Sequence, residues 1–263
     1  MHDRRKQKSR IYNPTQMLAR HASIAVMSDT IKNRYQQLLD ELARQESIAG
    51  RLPGSVHLLA VSKTHGPEKI REAWQAGARQ FGENYVQEAL DKISVLSEPG
   101  TDTPDIVWHF IGPIQSNKTR DIAEHFDWVH SVDRLKIARR LNEQRPADMP
   151  PLNICVQVNL SHEDSKSGVD INDVDALCQQ IAEQMPRLKI RGLMAIPAPS
   201  TEYEIQRQTF HPLKVLFDKL RVRYPDMDTL SMGMSDDYPA AIAEGATMIR
   251  IGTAIFGHRE RPA

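Results

Sequence analysis

The sequence predicts a single α/β domain built as a closed (β/α)8 TIM barrel, with an N-terminal helix before the first strand. Two observations carry this. Eight short apolar runs alternate with amphipathic helical stretches along the 263 residues, the pattern of parallel strands joined by crossovers. Eight such units in a chain of this length favour a ring. An open doubly wound sheet is the alternative, but its nucleotide-binding form carries a glycine-rich turn after an early strand, and Lys63-Thr64-His65-Gly66-Pro67 is no such turn.

Residues 1–26 carry Arg4, Arg5, Lys6, Lys8, Arg10 and Arg20 against one acid, Asp3. They read as a basic N-terminal extension, disordered or appended, and Met27 is an alternative start. The segment lacks the solid apolar stretch of a secretory signal, whereas an organellar transit peptide, also basic and acid-poor, stays open. The barrel domain spans residues 27–263, beginning with an amphipathic helix over Ser28–Glu46. Strands are expected at Val56–Lys63, Arg79–Asn84, Ile106–Gly112, Trp128–Val132, Asn153–Ser161, Lys189–Pro197, Thr229–Ser235 and Met248–Gly257. Between them fall helical stretches at Glu68–Ala76, Val86–Leu96, Leu135–Gln144, Val174–Gln184, Tyr203–Tyr224 and Tyr238–Glu244. Proline-bearing segments near Pro99–Pro104 and Arg145–Pro151 read as loops.

Composition narrows the function. With 40% hydrophobic residues, a chain of this size buries roughly 70% of its unfolded surface in one core. Its 34 basic and 34 acidic residues balance, so it lacks the basic field of a non-specific nucleic-acid binder. No apolar stretch is long enough to span a membrane. Cys155 and Cys178 show no metal-ligand spacing and suit a reducing, cytoplasmic setting. The ten histidines form no H-E-x-x-H pattern, His109 reads as a strand residue, and no metal site is expected.

In a ring of this kind the functional groups gather at the carboxyl ends of the strands. Lys63 ends the first run, where a lysine either marks the passage of the chain into solvent or, if desolvated, can release its proton and become an amine able to form a Schiff base with an aldehyde, chemistry that points to pyridoxal phosphate. Closure sets the last strand beside the first, and so brings Asn84 and Arg250 next to Lys63. Alternation puts Leu59, Val61 and Lys63 on one face, and Met248, Arg250 and Gly252 on another. If these faces point inward, Arg250 is buried and needs a partner. Two remain open: a pyridine nitrogen, or a structural pairing with Glu83 or another acid. A second cation near Lys63 also lowers its pKa by repulsion.

Loops after the last two strands are the usual phosphate cradle. Ser235, read as opening a helix, and Gly252-Thr253 offer a hydroxyl, backbone amides and close approach. Asp236 and Asp237 would repel a phosphate unless they turn outward and serve the helix dipole. Met194 and Ile196 can pack on a flat ring or belong to the core. Ser165-Lys166-Ser167-Gly168 can close over a ligand or stand as a solvated loop.

The stretches LLAVSKT, FGENYVQE, WHFIGPIQSNK, SKSG, GLMAIP, LSMGMSDD and MIRIGTAIFG occur in this order, and over about residues 28–258 the chain resembles the pyridoxal phosphate homeostasis protein family, also called YggS or PROSC. The resemblance implies a fold related to the N-terminal barrel of alanine racemase. It implies pyridoxal 5'-phosphate held as a Schiff base on Lys63, Arg250 facing the pyridine nitrogen, Asn84 near the ring, and Ser235, Gly252 and Thr253 at the phosphate. It implies buffering or delivery of the cofactor without established turnover, with pyridoxal-phosphate-dependent apoenzymes as possible recipients.

The alternative is an amino-acid racemase, which needs proton-transfer groups on both faces of its substrate, and Lys63 supplies only one. In the racemases the other is a tyrosine from an additional β-domain; here only residues 258–263 follow the last run, so no such domain is expected, and a monomer is. Tyr85 is the nearest tyrosine in sequence. A third reading, a barrel enzyme acting on a sugar phosphate, would use Lys63 on its substrate and carry no chromophore.

Overall fold

The computed structural model describes residues 29–98, 100–101, 103–160 and 167–257. The basic extension, Ser28, Ser161, Ser165, Lys166 and residues 258–263 lie outside the described residues.

Eight parallel strands form the expected ring: β1 (His57–Val61), β2 (Gln80–Glu83), β3 (Val107–Phe110), β4 (Trp128–Val132), β5 (Leu152–Asn159), β7 (Leu188–Met194), β8 (Thr229–Ser231) and β9 (Met248–Ile251). Neighbours follow chain order, and pairing of β1 with β9 closes the barrel, with Leu59 opposite Arg250. A two-residue strand that the apolar pattern does not announce, β6 (Val169–Asp170), lies in parallel against the end of β5.

The N-terminal helix runs over Ile31–Ile48, where Thr30 Oγ1 accepts the Asn33 N–H at 3.2 Å. Ile31, Tyr35, Leu38 and Leu42 recur on one face and bury it. At its far end the buried Glu46 accepts the N–H groups of Gly54 and Val56, which fixes the helix to the start of β1. Six further helices match the expected stretches, at Pro67–Gln75, Val86–Leu96, Leu135–Gln144, Val174–Gln184, Tyr203–Arg221 and Tyr238–Ala243.

Several strands are shorter than their apolar runs, and the difference falls at the carboxyl ends. The run Met248–Gly257 is not one strand: β9 stops at Ile251, Gly252 turns the backbone, and Thr253–Phe256 form a helical turn. Ser235 does not open a helix; it lies in a turn before Tyr238–Ala243, whose N-cap is Asp237. A turn at Ser116–Lys118 and a helix at Thr119–His125 cross from β3 to β4. Thr119, Ile122 and Ala123 are that helix's buried residues, too few to set a helical period in the sequence.

Two layers of apolar side chains hold the barrel. The larger lies between strands and helices and includes Phe81, Phe110, Ile154 and Phe210. The smaller, Leu59, Val61, Ile111 and Met248, forms a cluster of its own. Since Leu59 and Val61 alternate with residues of the outer layer, this cluster faces the inside of the ring, as the alternation of β1 and β9 requires.

Candidate functional site

At the carboxyl ends of the strands a cavity of about 250 Å³ is lined by Lys63, Asn84, Ser235, Arg250, Gly252 and Thr253, with Val61, Ile111, Ile196 and Met234. Six of the seven residues picked from the sequence thus meet around one space. Met194, the seventh, is fully buried at the end of β7 and does not line it; Ile196, two residues on, does.

Lys63 sits two residues beyond β1, in a turn whose next residue, Thr64, has φ +66°. A β-branched residue in the left-handed region is strained and persists only where its surroundings enforce it. Around this turn runs a hydrogen-bond network, buried at Ser62, Glu83 and Lys92. Lys92 Nζ, on the helix Val86–Leu96, donates to Ser62 O at 3.0 Å, Glu83 Oε1 at 2.8 Å and Glu88 Oε1. Ser62 Oγ donates to Glu83 Oε1 at 2.6 Å, and the Thr64 N–H donates to Glu88. Burial raises the Glu83 carboxyl above its ordinary value, opposed by the Lys92 ammonium. Glu83 therefore does not pair with Arg250; Lys92 takes it. Next along, His65 stacks on Phe256 with ring centroids 5.1 Å apart.

Arg250 is 4% exposed. Its Nη1 donates to Ser231 Oγ at 2.8 Å and its Nη2 to Ala195 O at 2.9 Å. Burial pulls the guanidinium down to about 10, while the nearby Asp237 carboxylate acts in the opposite sense. Behind Ser231 runs a chain of rings inside the barrel: His130 Nδ1 lies 2.9 Å from Ser231 Oγ, and His130 Nε2 lies 2.9 Å from His109 Nδ1. Burial drives His109 to about 3 and His130 well below the ordinary histidine value, so both rings are neutral. His109 is a strand residue, as its pattern indicates, and it stacks on Trp128 at 5.3 Å.

Ser235 and Thr253 bring two hydroxyls to the same cavity lining. Asp237 does not line it; its Oδ1 accepts the Met234 N–H at 2.6 Å and so closes the turn that carries Ser235. Asp236 is exposed. A Cβ on Gly252 would lie 3.0 Å from Val61 O, so this glycine serves the contact between β9 and β1 as well as the cavity. Asn84 Oδ1 is buried without a hydrogen-bond partner, an acceptor whose desolvation a ligand donor would offset. An amine, a buried cation, an unsatisfied acceptor and two hydroxyls fit a planar aldehyde that bears a ring nitrogen and an anionic group.

The supporting residues His130 and Lys92 are absent from the sequence reading, and Ser231 enters it only as part of the seventh strand end, without a role toward Arg250. Glu88 and Lys92 stand at i,i+4, a spacing that reads as an exposed helical pair. Only burial distinguishes this pair from such a surface one.

Comparison with known proteins gives the family and the fold. Residues 39–260 match the family described as alanine racemase, N-terminal domain. The chain is 54% identical over 230 residues to the pyridoxal phosphate homeostasis protein of Escherichia coli, covering 88% of this chain and 97% of that one. It is 55% identical over 231 residues to the protein of that name from Pseudomonas aeruginosa, covering 88% and 96%. Among solved structures it is similar to PipY of Synechococcus elongatus with PLP bound, at 42% identity and a TM-score of 0.70, over 82% of this chain and all of that one.

Proposed function

Because the chain belongs to the pyridoxal phosphate homeostasis protein family, we propose that it holds pyridoxal 5'-phosphate as a Schiff base on Lys63 and buffers or delivers it, without catalytic turnover. One observation carries the reading: Lys63, from the first strand end, and Arg250, from the last, line a single cavity with Ser235 and Thr253. When bound, the cofactor supplies an aldehyde that condenses with an amine.

The rest falls to the protein. Lys63 provides the amine. Arg250 has five N–H donors, two of them committed to Ser231 and Ala195, and one of the remaining three serves the pyridine nitrogen and holds it unprotonated. Ser235 and Thr253 donate to the phosphate, with Gly252 allowing close approach. Asn84 Oδ1 accepts a hydrogen bond near the ring, and Met194, buried at the end of β7, supports the strand that leads to Ile196. A ring nitrogen that Arg250 keeps unprotonated makes a poor electron sink, which suits storage better than amino-acid chemistry. Among the described residues that line the cavity, none is a tyrosine, histidine or carboxylate to serve as a second proton-transfer group beside Lys63. Tyr85 is exposed. On the same reading the protein is a cytoplasmic monomer whose recipients are pyridoxal-phosphate-dependent apoenzymes; Cys155 and Cys178, buried as free thiols, support a reducing setting.

The purified protein is expected to absorb in the visible, and Lys63→Ala to abolish that band. A wild type that stays colourless with added pyridoxal phosphate defeats the reading. Incubation with single enantiomers of amino acids in deuterated water separates the racemase alternative, because α-deuterium exchange with turnover is the enzyme's signature.

A further inference from the structure

We propose that Lys92 and Glu88 are positioning residues for Lys63: they grip the chain on both sides of the reactive amine and hold its turn in a conformation it would not otherwise keep. The inference rests on the assignment of Lys63 as the Schiff-base residue, and nothing in that assignment requires it.

Lys92 is 4% exposed and Glu83 is fully buried. An ammonium has three protons to donate, and all three are placed: on Ser62 O, Glu83 Oε1 and Glu88 Oε1. Two of the acceptors lead straight back to the turn. Ser62, immediately before Lys63, gives its carbonyl to Lys92 and its hydroxyl proton to Glu83. Thr64, immediately after Lys63, gives its backbone proton to the same Glu88 oxygen that Lys92 holds. Both neighbours of Lys63 therefore answer to one buried charge.

The position of the strain makes this more than a tie between helix and sheet. Thr64 at φ +66° is the one non-glycine residue with positive φ among the described residues, and its side chain branches at Cβ, the type that resists this region most. Strain of this kind is kept where surrounding contacts over-determine the backbone, and it concentrates at functional sites. Without the Glu88 acceptor the turn relaxes toward negative φ, and the Lys63 side chain, rooted one residue earlier, leaves its path into the cavity. Glu88 is 31% exposed on its side chain, so removing it spares the buried pair and the fold.

The test uses the full-length apo protein and pyridoxal, the phosphate-free aldehyde, so that the phosphate groups take no part. Glu88→Ala is expected to slow the appearance of the Lys63-dependent band roughly tenfold, the scale of a small misplacement of a reacting group, with the thermal midpoint close to wild type. In the same apo protein the Thr64 amide should exchange with solvent at least tenfold faster. Glu88→Gln, which keeps an acceptor oxygen, should restore the rate. So should Glu88→Ala combined with Thr64→Asn, because asparagine accepts the left-handed region. Lys92→Met should slow the band further; if that variant does not fold, the Glu88 series decides alone. Wild-type rates of band formation and of Thr64 exchange in Glu88→Ala overturn the proposal while leaving Lys63 as the Schiff-base residue. Absence of a Lys63-dependent band in the wild type defeats the underlying assignment instead.

Discussion

Ser231 Oγ accepts a hydrogen bond from Arg250 Nη1 at 2.8 Å inside the barrel, and the same oxygen lies 2.9 Å from His130 Nδ1. A hydroxyl thus stands between a buried cation and two neutral rings. Arginine has no acceptor of its own, so this oxygen and the Ala195 carbonyl define where the guanidinium rests.

Ser231→Ala removes one of those two acceptors. A hydrogen bond to a charged group contributes about 2 kcal/mol, and the deletion should lower the unfolding free energy of the apo protein by about that amount in urea denaturation. A loss below about 0.5 kcal/mol would show that Arg250 finds another partner at no cost.

The neutral rings set a pH dependence. The folded-state values of His109, about 3, and His130, well below 6.5, lie under that of the unfolded chain. The unfolded state therefore binds protons that the native state refuses. Stability is full above pH 6.5 and falls as pH drops toward 3, at up to about 1.4 kcal/mol per pH unit for each ring. Glu83 and Asp237, raised by burial, oppose this between the ordinary carboxylate value and their raised folded-state values, where the native state binds the extra proton. Between pH 6.5 and 5.5, His109→Gln should flatten the stability profile by about 1 kcal/mol relative to wild type. An unchanged slope would mean that His109 takes up its proton in the folded state.

Gly112→Ala tests the backbone under Asn84. A Cβ at position 112 would lie 2.2 Å from Asn84 O, a contact with main chain that no rotamer relieves. The cost should be about 2 kcal/mol or more, and the displaced Asn84 should weaken retention of pyridoxal phosphate in dialysis. A variant as stable as wild type would show that the strand end moves freely.

How much the sequence reveals depends on the kind of interaction. Strand alternation and ring closure bring Lys63, Asn84 and Arg250 together, because a two-residue period and the order of the units suffice to place them. The ends of the strands are less legible, since apolar residues such as Ile255 and Phe256 continue past β9 into a helical turn and bury there all the same. Arg250's partners leave no trace in the sequence: one is a carbonyl, which every residue carries, and the other a serine among many. Glu83 looks available to any nearby cation until folding buries Lys92 beside it.

Pairing of β1 with β9 has a consequence for synthesis. The amine and the guanidinium belong to the first and last staves of the ring, so a nascent chain still lacking its final stave has half a site, however well its earlier part has collapsed. On the proposed Schiff-base reading, a fragment that ends before β9 lacks Arg250 and should retain pyridoxal phosphate less well than the closed ring.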